Sequence, residues 1–156
     1  MAEIDPDLIK MYQCINWNTG THGGVINTSV EIDSGATNGI FADVSDSYRL
    51  AGTTDYRKVF IRNENAETYT TVKCWISANT PSTDDAVWIC LGTTNDVVTT
   101  ASTYDYYQPD GKTHIDVLEA GNLVEDDSFS LWIKRVVGVG SSGYNNNTFE
   151  IKVENS

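Results

Sequence analysis

A chain of 156 residues and 17.2 kDa has the length of one ordinary domain, and 40% hydrophobic residues, with 10% aromatic, can fill a single core. Ten Lys and Arg stand against 22 Asp and Glu, a formal charge of −12, so nucleic acid and anionic membrane surfaces are excluded as partners by repulsion. No apolar run reaches the roughly 18–20 residues that cross a bilayer, and the opening Met-Ala-Glu-Ile-Asp-Pro-Asp has neither the basic nor the apolar region of an export signal, which reads as a soluble intracellular chain.

Residues 1–10 read as a polar arm preceding a single domain over 11–156, with Ile4 and Leu8 as the apolar side chains by which the arm would hold a neighbour. Behind Pro6, residues 5–11 can wind one short helical turn. A short strand is expected over 10–15, then a Gly- and Asn-rich loop over 16–24 that carries His22, and strands over 26–32 and 56–63. Val72, Cys74 and Ile76 oppose Lys73, Trp75 and Ser77 with a period of two, and 87–91 continues the pattern. The aromatic run Tyr104-Asp105-Tyr106-Tyr107 leads to Pro109-Asp110-Gly111, where Pro presets a negative φ and Gly a positive one for a tight turn. Further strands are expected over 113–118, with His114 on the polar phase, and over 128–133. The last strand places Phe149, Ile151 and Val153 against Glu150, Lys152 and Glu154.

At least eight strands and no sustained 3.6-residue period predict an all-β fold. Each strand has an apolar face that needs cover, so the expectation is an antiparallel β-sandwich, immunoglobulin-like or jelly-roll-like, with under about 10% helix. Its core should hold Ile26, Val30, Val59, Ile61, Val72, Ile76, Val87, Ile89, Phe129, Leu131, Ile133, Phe149, Ile151 and Val153.

Nucleophile-elbow, zinc-protease, phosphate-loop and dinucleotide motifs do not occur in the sequence. Cys14, Cys74 and Cys90 are an odd number without metal-ligand spacing and read as reduced structural thiols. His22 and His114 read as solvated residues, and no cofactor is expected. Acidic pairs at Asp5/Asp7, Asp43/Asp46, Asp84/Asp85 and Asp126/Asp127 read as charge on solvated turns, with a cation assembled from several loops as the alternative.

Aromatic residues on the polar phase of strands carry more information. Trp75 falls beside Lys73 and Trp132 beside Lys134, both facing outward, and Trp88 is out of phase with Val87 and Ile89. Outward Trp, together with Tyr104, Tyr106 and Tyr107, suits protein contact unless a loop folds over it. The same rows suit stacking on sugars, so a carbohydrate-binding module is the alternative.

The segments Tyr56-Arg57-Lys58-Val59-Phe60-Ile61-Arg62-Asn63, Val72-Lys73-Cys74-Trp75-Ile76 followed by Asn79-Thr80-Pro81, Ile89-Cys90-Leu91-Gly92, Leu131-Trp132-Ile133-Lys134-Arg135-Val136-Val137 and Asn147-Thr148-Phe149-Glu150-Ile151-Lys152-Val153 resemble small virion structural proteins of tailed bacteriophages, most of all capsid decoration, or cement, proteins. The likeness runs in the same order from about Ile9 to Glu154, and the three cysteines are not part of it. It implies a non-enzymatic protein made in the cytoplasm of a bacterial host. Its place would be the capsid surface, its partners the major capsid protein and itself, as a homotrimer or else a dimer; the alternative under the same resemblance is a tail- or fibre-associated carbohydrate-binding module.

Overall fold

The computed structural model describes residues 3–111, 117–141 and 148–155. Its strands are β1 (Ile9–Asn16), β2 (Gly23–Glu31), β3 (Thr53–Asn63), β4 (Tyr69–Ala78), β5 (Asp85–Leu91), β6 (Leu118–Leu123), β7 (Ser128–Val137) and β8 (Glu150–Asn155). They form two antiparallel sheets, a large one in the order β2-β1-β3-β7-β5 and a small one in the order β6-β4-β8. The all-β sandwich expected from period-two patterning is the observed fold. Helix reaches 11%, just above the expected share.

That helix lies in α1 (Asp46–Ala51), α2 (Val98–Ala101) and 3-10 turns at Pro6–Leu8 and Thr19–Thr21. α1 is defined by its ends. Ser45 Oγ accepts the Tyr48 N–H, Asp46 lies in the first turn and Arg49 in the last. Six residues are too few to show a helical period, which is why the pattern alone does not find it.

The core between the sheets joins Val59 and Ile61 of β3, Cys74 and Ile76 of β4, Val87 and Ile89 of β5, and Leu131 and Ile133 of β7. Phe129, Phe149, Ile151 and Val153 pack against it half-buried, and Val72 joins Tyr69 and Leu123 in a second cluster. Two expected core residues fall outside: Ile26 is only half-buried and Val30 is 37% exposed. Both sit on β2, the edge strand of the large sheet; Ile26 stands opposite Cys14, on the face turned away from the small sheet. Leu131→Ala should cost about 2–5 kcal/mol in urea unfolding, and Ile151→Ala the lower end of that range because it is half-buried.

The arm expected over residues 1–10 is corrected for the residues described. Ile9 and Lys10 already belong to β1, paired with Asn63 and Arg62 of β3. Asp5 N–H donates to Asn65 Oδ1 at 2.8 Å, and Ile4 packs against the Tyr69–Val72–Leu123 cluster. Asn65 is itself held by Asn63, whose side-chain amide donates to the Glu67 and Leu123 carbonyls, so the segment is tied to a buried polar knot. The expected helical turn appears as the 3-10 turn, capped by the Asp5 carboxylate on the Asp7 N–H.

Of the strand expected over 113–118, residues 113–116 and His114 lie outside the described residues. The strand observed there is β6, in which Gly121 takes a φ of +85° and the register with β4 shifts. These irregularities break the period-two signal.

Candidate functional site

Alternation along β3, β5 and β7 turns Lys58, Phe60, Trp88, Cys90, Ser130, Trp132 and Lys134 away from the small sheet. This second face is not a free surface. The chain after β5, including α2 and Tyr104 to Tyr107, and the chain between β1 and β2 fold across it. Trp132, expected outward, is therefore 0% exposed. The crossing chain comes close at Gly92, where a Cβ would lie 2.7 Å from the Trp132 indole and from Ser130 Oγ, so only glycine fits without displacement.

At the centre of this covered face is a buried ammonium. Lys58 Nζ lies 2.6 Å from Asp96 Oδ1 and donates to the carbonyls of Gly24 at 2.8 Å and of Thr94 and Asp96 at 3.3 Å. Four oxygens replace its hydration shell, as a buried charge requires. Burial pushes the lysine down from its ordinary value and the Asp96 carboxylate opposes that. Burial also pushes Asp96 up. Lys58, the Thr93 N–H and the Tyr104 hydroxyl at 2.9 Å outweigh this and hold it below the usual carboxylate range.

His22, expected solvated, is fully buried beside this pair. Its Nε2 accepts the Lys58 backbone N–H at 2.7 Å, which assigns the proton of the neutral ring to Nδ1. Trp17 and Trp132 pack edge-on against the ring at 4.7 and 5.8 Å. Cys14 Sγ is 3.4 Å from Nε2, while its thiol donates to the Asn16 carbonyl at 3.2 Å. Burial pushes the thiol up and, with Arg57, the imidazole down to about 4. Both shifts oppose a thiolate–imidazolium pair, so Cys14 and His22 form a neutral structural contact.

A pH dependence follows. In the unfolded chain His22 titrates near 6.5 and in the folded chain near 4, so the unfolded state binds the extra proton first. The stability His22 contributes is complete above pH 6.5 and is lost as pH falls toward 4. His22→Gln, measured by urea unfolding between pH 7 and 4, should flatten that part of the profile.

All four tryptophans lie under a cation. Arg57 is 5.4 Å from the Trp17 ring, Lys152 5.7 Å from Trp75, Lys134 5.2 Å from Trp88, and Lys58 5.9 Å from Trp132. The three lysine pairs are directly opposed across neighbouring strands: Trp75↔Lys152, Trp88↔Lys134 and Lys58↔Trp132. This corrects the pairing read along single strands. Trp75 meets Lys152 rather than Lys73, which stands across from Glu119 and Glu154, and Lys134 meets Trp88 and Tyr106 rather than Trp132. Directly opposed residues are closer than residues two apart on one strand.

The expected contact residues thus fall on separate surfaces. Trp88, Lys134 and Tyr106 form one strip with Tyr56, whose ring is 5.6 Å from that of Tyr106. Burial pushes the Tyr106 hydroxyl well above its ordinary value, and it donates to the Ala101 carbonyl. Tyr107 is 53% exposed while its backbone pairs with Ile89, extending the large sheet past β5. Tyr104 is drawn inward onto Asp96. Trp75, half-buried, lies on the small sheet, where Gly111, at the expected positive φ, packs so close that a Cβ would overlap the indole. Gly111→Ala should therefore shift Trp75 and change the tryptophan fluorescence of the folded protein. Leu8 closes the 3-10 turn that leads into β1, and Ile4 packs against Tyr69 and Val72 of β4 and Leu123 of β6.

The acidic pairs serve other partners: Asp5 caps a turn, Asp85 faces Arg49 at 3.7 Å and Asp126 meets Arg62 at 2.8 Å. Among the described residues no group of three His, Cys, Asp or Glu is placed to hold a metal. Sequence reasoning missed Lys58, Asp96, Tyr56 and Lys152, since cross-strand register and loop folding bring them into place. No family model, no curated protein and no solved structure matches this chain.

Proposed function

We propose that the protein is a non-enzymatic virion structural protein of tailed bacteriophages, most like a capsid decoration protein that binds the outer surface of the head and stabilises capsomer contacts. The observation that supports this reading is the pair of half-buried tryptophans, Trp75 and Trp88, each lying under a lysine of the neighbouring strand. Rigid aromatics lose little entropy on binding and supply most truncation energy at interfaces. On a chain of charge −12 they also place positive charge where an acidic capsid surface would meet it. A sugar would need a free ring face, and the Trp75 indole has Lys152 over it and Gly111 packed close against it, which favours a protein partner over a glycan there.

The test is sedimentation of labelled protein with undecorated phage heads. Wild type should pellet with the shells, and Trp75→Ala or Trp88→Ala should weaken attachment by ≥ ~2 kcal/mol, about thirtyfold, with circular dichroism unchanged. Shell binding equal to wild type for both variants, with sugar binding lost on a glycan array, would replace this reading with the carbohydrate-binding one.

A further inference from the structure

The sheets are unequal, five strands against three, and the excess lies on the side of β1 and β2. There β8 is the edge of the small sheet. It pairs with β4, and among the described residues no strand pairs with its other edge. Opposite that edge, β1 turns Ile9 and Met11 toward the space a further strand would fill, and both are half-buried. Between β8 and β1 runs a groove of about 380 Å³ walled mainly by Ile9, Met11, Ile61, Tyr69, Ile151 and Val153; Lys10, the one charged residue lining it, is countered by Glu64 at 3.4 Å and Glu31 at 3.9 Å.

We propose that this groove receives an extended segment of a partner protein, added as a fourth strand on β8, with apolar residues at every second position and basic residues between them. Among the described residues no strand meets the outer edge of β8, although the Val153 carbonyl takes the Tyr69 hydroxyl at 3.4 Å, and an open strand edge beside an apolar trench is the geometry of strand addition. The charge of the occupant follows from β8. Its outward row is Glu150, Lys152 and Glu154, and Lys152 already pairs with Glu154 at 2.9 Å. A strand laid alongside meets two carboxylates flanking one ammonium, which a basic–neutral–basic row complements. A second whole copy does not fit. Antiparallel pairing of two β8 edges about a two-fold would place both large sheets on the same side, where their overhanging β1 and β2 strands collide. The proposal does not depend on the decoration reading.

The test is titration of the intact protein with a capped heptapeptide, lysyl-valyl-threonyl-isoleucyl-lysyl-valyl-threonine, followed by amide hydrogen exchange at each residue. Saturable binding should slow exchange of the β8 amides that β4 leaves free. Replacing both lysines of the peptide with glutamate should weaken binding by at least about tenfold, and N-methylation of the peptide amides that face β8 should abolish it. Binding that survives N-methylation, or exchange in β8 that the peptide leaves unchanged, overturns the proposal. So does slowed β8 exchange in the peptide-free protein that grows with protein concentration, since a second copy would then occupy the groove.

Discussion

Asp96→Ala is expected to destabilise the fold by about 3–5 kcal/mol in urea unfolding at pH 7, because it leaves the Lys58 ammonium buried without its counter-ion. Lys58→Met should cost a similar amount for the complementary reason: the carboxylate and the carbonyls of Gly24 and Thr94 lose their shared donor. The double variant Lys58→Met/Asp96→Ala should be more stable than the sum of the singles, since removing both charges removes the uncompensated one. Strict additivity of the two losses would show that the residues act independently and that the covered face has another organiser. Asp96 bonds the Thr93 N–H and Tyr104 hydroxyl as well. Its loss should therefore also loosen the segment around α2, seen as faster amide exchange at Val98 and Ala101.

The second large effect is at Trp132. Its indole is fully buried between Lys58 and His22, so Trp132→Ala should cost about 3–5 kcal/mol, a fall in melting temperature on the order of 10 °C for a domain of this size. Trp75→Ala and Trp88→Ala remove half-buried rings and should cost clearly less. Equal melting temperatures for the three variants would contradict the assignment of Trp132 to the interior. The contrast separates two roles for a similar sequence pattern: in one case the cross-strand lysine and tryptophan are sealed into the fold, in the others they remain at its surface.

Strands such as β4, β7 and β8 are legible because one face meets the opposite sheet, and alternation records that contact directly. The second face of the large sheet is not legible in the same way. Whether Trp132 meets water or chain depends on how residues 92–109 fold, and that segment is tethered by the Lys58–Asp96 pair 38 residues apart and by the Ile89–Tyr107 bridge. His22 illustrates the same limit: Gly and Thr neighbours mark a loop, but a loop can be buried when it supplies an acceptor to a strand N–H. Val30 errs in the other direction. Its local pattern is that of a core strand, yet β2 runs past the edge of the small sheet. The aromatic candidates were recognisable by phase, but their lysine partners depend on register, which is set by the whole sheet.

The central functional proposal is that Trp75 on the small sheet and Trp88 on the large sheet anchor protein contacts on two separate surfaces. Its most direct measurement is oxidative footprinting of tryptophan side chains in the free protein and in protein bound to undecorated phage heads. Trp132, sealed in both states, serves as the internal reference. The account predicts that Trp75, Trp88 or both lose reactivity on attachment while Trp132 stays unreactive throughout. Shell-bound protein in which Trp75 and Trp88 are as reactive as in the free protein would contradict it.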